Sequence, residues 1–192
     1  MSGITYNKDF IKRTRELLKN HFSKLEKEDL EVTFLMNCLL GLIVSISENK
    51  GYFNKVLDNN IDEDFLSNLP KNICFIKLNK STVNLINCSE SNIKLKISKK
   101  VDLKNYKKKW FINKLRNGIA HQHINEINDN DNDNDNDNDN EKWIGVEIWN
   151  ETKSNIIDFR ISFQIKELYD FVLFLSEQFI NTNSIHNKEE KK

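Results

Sequence analysis

Residues Leu30 to Glu48, LEVTFLMNCLLGLIVSISE, are apolar nearly all the way round a helix. A helix without a polar face has to be enclosed by other elements, since a contact on one side alone leaves half of its side chains in water. That segment therefore asks for a bundle with itself at the centre. Asp29 stands where an N-cap belongs, and Gly51 follows the end as expected of a helix stop. The most apolar part, Val32 to Ile46, runs for about 15 residues and includes Thr33, Asn37 and Ser45, short of the roughly 20 needed to span a bilayer. A core helix is expected, and no membrane.

The helices that would enclose it can be read from periodicity. Tyr6, Phe10, Leu17, Leu18, Phe22 and Leu25 recur at three- and four-residue spacing and predict an amphipathic helix. Asp102 to about Gly118 repeats the pattern with Leu103, Tyr106, Trp110, Phe111 and Leu115, and Asp102 is its expected cap. A closing helix is predicted from about Gln164 to Asn181, with Ile165, Leu168, Phe171, Val172, Leu175 and Phe179 as its stripe. Between them, KWIGVEIW and IIDFRISF alternate around the turn-rich NETKSN and predict a β-hairpin. The segment from Tyr52 to Lys100 predicts a loop, a short helix halted before Pro70, and short or irregular strands at ICFIKLN, TVNLINC and IKLKIS. One proline and five glycines in 192 residues leave little turn chemistry for a many-stranded sandwich. The expected fold class is mainly α, a bundle of four or five helices with a β-hairpin. The expected domain covers 1–183, followed by a flexible polar tail at 184–192.

The formal net charge of zero conceals an asymmetry. Asn128 to Glu141, NDNDNDNDNDNDNE, holds seven acidic residues and no basic one; without it 29 basic residues face 22 acidic ones, a balance of +7. The tract repels itself and has nothing to bury, so it is expected to be a disordered insertion. It is no EF-hand, for it lacks the glycine that such a loop requires at its sixth position. The remaining body is basic, which is compatible with nucleic acid. The three cysteines, Cys38, Cys74 and Cys88, form no C-x-x-C pair, and the N-terminus lacks the apolar core of a signal peptide. A reducing, cytoplasmic address is expected.

Chemistry concentrates in one place, Lys114 to His123, KLRNGIAHQH. Arginine is a permanent cation whose fork of donors fits phosphate oxygens. Histidine moves protons near neutral pH, and asparagine directs a hydrogen bond. Together they suit attack by an RNA 2′-hydroxyl on its own phosphodiester, with the arginine stabilising charge on the phosphate. His121 and His123 lack the third ligand that a zinc site needs, so no metal or other cofactor is expected. One constraint is awkward. Arg116 and His121 are five residues apart, so on a regular helix they point about 140° from each other. Either the helix distorts near Gly118, or Arg116 wraps round, or a second chain completes the site.

RNGIAH, residues 116–121, resembles the R-N-x-x-x-H signature of the HEPN (higher eukaryotes and prokaryotes nucleotide-binding) superfamily. The enclosed second helix, the long helix leading into the motif and the closing amphipathic helix are similar to its bundle. The layout most resembles plasmid- and defence-associated members with a β-hairpin after the motif helix. The resemblance implies a metal-independent endoribonuclease, acting as a toxin or in phage defence, and a homodimer whose two motifs face one another. It implies Arg116 and His121 as the catalytic pair with Asn117 beside them. RNA is the implied partner, and a nucleotidyltransferase antitoxin is one candidate for a second.

His123 lies outside the signature and is expected near the RNA, either assisting or simply exposed. Of the lysines on the basic motif helix, Lys109 and Lys114 are nearest to the motif and are the expected backbone contacts, with a salt-dependent effect. Two other readings stand beside the enzyme. RNGIAHQH can serve as a helix end, with Arg116 neutralising terminal carbonyls. Or the fold can bind a nucleotide or a partner without cleaving anything.

Overall fold

The computed structural model describes residues 3–70, 73–75, 100–128, 142–152 and 157–181. Helix α1 (Gly3–Lys27) leads into α2 (Glu31–Glu48), α3 (Lys50–Leu57) and the short α4 (Glu63–Ser67). Strand β1 (Ile73–Phe75) and a 3₁₀ turn (Lys100–Asn105) precede α5 (Lys108–Ala120). Strands β2 (Ile124–Asn128), β3 (Trp143–Glu151) and β4 (Ile157–Gln164) follow, and α6 (Ile165–Ile180) closes the fold.

The all-round apolar helix occupies the centre, as its composition requires. α2 touches α1, α3, α5 and α6. Val32, Leu35, Leu39, Leu42, Ile43 and Ile46 are buried along it. Among the described residues it is the one helix long and apolar enough to cross a membrane by length and composition. Its neighbours nevertheless cover those side chains as they would in any core helix. Cys38 is also buried here, and burial pushes its thiol up to about 11.

Both ends of α2 differ from expectation. Asp29 does not cap it; the N-cap is Leu30, without a side-chain hydrogen bond. Asp29 instead adopts φ 54° and reverses the chain after α1, where the Leu30 N–H donates to the Leu25 carbonyl at 3.0 Å. Its carboxylate pairs with Lys142 at 2.9 Å. Gly51 does not stop the helix either. The break comes at Asn49 (φ −102°, ψ 46°), and Gly51 lies inside α3.

The motif helix starts later than periodicity suggests. Its N-cap is Lys107, not Asp102. Residues 106–108 are claimed by an earlier stretch of backbone: Ile61 N–H donates to the Tyr106 carbonyl at 2.9 Å and Lys108 N–H to that of Asn59 at 3.0 Å. A segment whose groups bond sideways cannot also close helical turns. The same junction is pinned by charge. Lys108 Nζ, almost wholly buried, meets Asp62 at 2.7 Å, and Asp62 also caps α4 by accepting from Phe65 N–H at 2.9 Å. Burial pushes the Asp62 carboxyl up, but the Lys108 hydrogen bond, the Phe65 N–H and the Lys108 charge outweigh it and hold it below its usual 3.8. A carboxyl depressed in the folded state stabilises above its unfolded pKa and loses that contribution as pH falls through the folded one. Acid titration of stability is therefore expected to steepen below pH 3.8, and Asp62→Asn to flatten it, as read by urea midpoints at successive pH values.

The expected hairpin is present, inside a larger sheet. Four antiparallel strands run in the order β1-β4-β3-β2, with Val146 opposite Phe163 and Ile148 opposite Ile161 at the centre. β1 is the part of ICFIKLN that is described; TVNLINC, IKLKIS, the acidic tract from 129 to 141 and the tail fall outside the described residues. Asn128 itself is the last residue of β2, opposite Trp143. The acidic tract therefore links two paired strands. The sheet backs onto the bundle through α5 against β3 and α6 against β4. The closing helix is fixed at its start by Glu167, whose carboxylate accepts from Gln164 N–H at 3.0 Å.

Candidate active site

α5 carries the motif on its last turns and is gripped from several directions. Phe111 lies edge-on to Phe65 at 5.3 Å and to Phe159 at 5.4 Å. Ile112, Leu115 and Ile119 complete the buried face. Lys114 reaches the buried Asp158 carboxylate of β4, which also accepts from Asn150 Nδ2 at 2.6 Å. Gly118 allows the closest approach. A Cβ there would lie 2.5 Å from the Trp149 carbonyl oxygen and 2.8 Å from Ile148 Cγ2. The glycine thus belongs to the interior of a regular helix pressed on β3. It neither distorts nor ends that helix, and its φ is not positive.

The helix ends three residues later. His121 is the C-cap (φ −96°, ψ 9°), and Gln122 takes the left-handed conformation at φ 58°. Gln122 N–H donates to the Ile119 carbonyl at 3.1 Å and His123 N–H to that of Gly118 at 2.9 Å. This pair of bonds is a Schellman closure. An L-residue held there costs roughly 1–2 kcal/mol, a strain glycine does not feel. Gln122→Gly is expected to stabilise the fold by about 1 kcal/mol, measured by chemical denaturation. An unchanged or lower midpoint would mean that the glutamine side chain repays its strain. Beyond the closure the chain runs straight into β2, a strand the hydropathy pattern did not reveal. Trp149 N–H donates to the His123 carbonyl at 3.1 Å, extending the ladder back to the motif.

These elements set the directions of the motif side chains. Asn117 and His121, four residues apart, lie on neighbouring turns and are both exposed. Arg116 is 40% exposed and donates to Glu48 at the end of α2 at 2.9 Å. The His121 ring lies on the other side, 5.8 Å from that of His123. Among the described residues no hydrogen bond or ion pair joins Arg116 to His121. Asn117 lies between them, about 100° from the arginine and 40° from the histidine around the axis. The structure thus brings together His121 and His123 within one chain, but not Arg116 and His121.

The basic face of α5 is not a row of free cations. In the 3₁₀ turn before it Lys104 pairs with Glu63, and on the helix Lys108 pairs with Asp62 and Lys109 with Asp58 at 3.8 Å. Lys114 is 18% exposed and committed to Asp158. Of the two expected backbone contacts, Lys109 keeps a partly exposed and loosely paired ammonium. It is seven residues from Arg116, hence on the same face and about 10 Å along the axis.

His123 has acquired a specific environment that its place in the sequence did not disclose. Its ring stacks on Trp149 with centroids 5.5 Å apart and 8° between planes. Its Nε2 faces Glu151 Oε2 at 3.9 Å. Trp149 Nε1 donates to the other oxygen of Glu151 at 2.9 Å. Glu151 and Trp149 come from β3, some thirty residues downstream, beyond the reach of a motif. The alternation of KWIGVEIW placed them on a strand without saying which helix end they would meet.

Compared with known proteins, the chain matches the family model described as HEPN pEK499 p136 over residues 1–186. No curated protein and no solved structure matches it.

Proposed function

The chain belongs to the HEPN family, and from that membership we propose that it is a metal-independent endoribonuclease acting on single-stranded RNA. The observation that carries this reading is the partition of the motif. Gly118 and Ile119 are buried and serve packing, whereas Asn117 and His121 are exposed and fill no place in the core. Polar residues of this chemistry, held on a rigid helix end and not required by the fold, are available for a substrate.

His121 accepts the proton of the 2′-hydroxyl as that oxygen attacks phosphorus. Arg116 neutralises charge on the phosphate oxygens, and Asn117, between them, orients the phosphodiester. Arg116 must exchange Glu48 for the phosphate, an exchange between two anions that a partly exposed pair permits. The roughly 140° between Arg116 and His121 supports a homodimer in which each phosphate meets residues of both chains. Lys109, on the Arg116 face, is the better placed lysine for RNA backbone; Lys114 acts through the fold. Such an enzyme would serve as a toxin or a phage-defence effector, restrained by an antitoxin such as a nucleotidyltransferase.

Purified protein is expected to cleave single-stranded RNA in the presence of EDTA and to leave 2′,3′-cyclic phosphate and 5′-hydroxyl ends, resolved by end-group analysis. A strict requirement for divalent metal, or 3′-hydroxyl ends, would refute the chemistry. One observation favours a noncatalytic binding module instead, namely the Arg116–Glu48 pair, which holds the arginine away from the histidine. A stable dimer without cleavage of any RNA would select that module.

A further inference from the structure

The reaction proposed above moves two protons, and Arg116 moves neither. One proton leaves the 2′-hydroxyl; another must reach the departing 5′-oxygen, a poor leaving group as an alkoxide. We infer that His123 is the second proton-transfer group, held for that task by Trp149 and Glu151. The inference rests on the ribonuclease reading.

Five observations lead to it. The left-handed turn at Gln122 folds the chain back so that the rings of His121 and His123 lie 5.8 Å apart and inclined by 35°. That separation puts two proton-transfer groups within reach of one phosphodiester lying along their edges. The His123 ring is not loose, for it lies nearly parallel to the Trp149 indole at 5.5 Å. Its Nδ1 is buried with no hydrogen-bond partner among the described residues, so Nε2 is the nitrogen left for a substrate. Glu151 faces that Nε2 at 3.9 Å, beyond hydrogen-bond distance, and leaves its hydrogen bond for a substrate. The carboxylate is itself anchored by the Trp149 indole N–H at 2.9 Å. A histidine that has to aim one nitrogen is held by contacts of this kind.

The step balances within the chain and the RNA. His121 takes the 2′-hydroxyl proton while O2′ bonds to phosphorus. The P–O5′ bond breaks, its electron pair stays on O5′, and the imidazolium of His123 gives O5′ a proton. The products are a 2′,3′-cyclic phosphate and a 5′-hydroxyl. His121 then releases its proton to water, and His123 regains one from water. Trp149 and Glu151 touch no reacting atom and are positioning residues.

A leaving group that needs no proton provides the test. Two substrates are compared, an RNA with the ordinary 5′-oxygen at the cleaved bond and the same RNA with sulfur in that bridging position, whose thiolate departs unprotonated. His123→Asn is expected to lose roughly 100- to 10,000-fold on the oxygen substrate and to recover most of that loss on the sulfur one. His121→Asn is expected to fall on both. Glu151→Gln and Trp149→Phe should show smaller losses on oxygen that also vanish on sulfur, which a merely structural role would not produce. Thermal melts of each variant guard against unfolding. Equal losses by His123→Asn on the two substrates, or no loss, would overturn the inference while leaving the ribonuclease intact. Recovery by His121→Asn instead would overturn the assignment of roles. Wild-type protein that cleaves neither substrate refutes the ribonuclease reading, and this inference with it.

Discussion

His121→Ala is expected to reduce RNA cleavage by roughly 100- to 10,000-fold while leaving the melting curve in place. The two halves of that expectation have separate physical grounds. The loss follows from removing the group that takes the 2′-hydroxyl proton. The unchanged stability follows from position, because His121 is an exposed C-cap whose structural work is done by its backbone N–H, bonded to the Asn117 carbonyl at 3.0 Å. Alanine keeps that N–H. The measurement is single-turnover cleavage in EDTA beside a thermal melt of the same preparation. Undiminished cleavage would remove His121 from the reaction; a collapsed melt would show that the ring has a structural role its exposure conceals.

Gly118 sits two residues from Arg116 in the same signature, and its substitution is expected to act in the opposite way. Gly118→Ala should destabilise the fold by about 1–3 kcal/mol, and Gly118→Val by more. Helix propensity alone predicts the reverse sign, since alanine in a helix interior is worth about 1 kcal/mol over glycine. The contact decides. An added Cβ would lie 2.5 Å from the Trp149 carbonyl oxygen, and that atom belongs to the backbone of a paired central strand, which cannot swing aside as a side-chain tip can. For a chain of this size, 1 kcal/mol moves the midpoint by about 2–4 °C, so the alanine variant alone is expected to shift it by roughly 2–12 °C. A stabilised Gly118→Ala variant would mean that α5 does not press on β3 as described. Together the two variants divide the signature into a part that reacts and a part that packs. Loss of activity on its own would not separate them.

The helix around these residues shows how far periodicity reaches. Phe111 and Leu115 are buried where the three- and four-residue spacing put them. Periodicity predicts a start at Asp102 and the helix starts at Lys108, because periodicity does not register that the backbone of Tyr106 and Lys108 is bonded to Ile61 and Asn59. Spacing puts Leu17 in the stripe of α1, yet it is 48% exposed, since a stripe read from spacing is wider than the neighbours that cover it. The cations of the 3₁₀ turn and of α5 could be listed from the sequence, but their partners could not. Asp58, Asp62, Glu63 and Asp158 are remote in the chain and were brought to them by folding.

The sequence by itself determined a central apolar helix, the amphipathic helices around it, a hairpin, and a motif that resembles the signature of the family it belongs to. Each of these depends on local spacing, which the period of a helix or strand converts directly into a face. The tertiary structure alone decided which signature residues are free. Gly118 is consumed by β3 and Arg116 is drawn to Glu48, while His121 remains exposed beside His123; just before the signature, Lys114 is taken by Asp158. It also gave His123 its indole and its carboxylate, from a strand across an acidic tract that separates them in the chain. Those choices rest on contacts between distant segments, and no periodicity within a segment encodes which other segment will cover it.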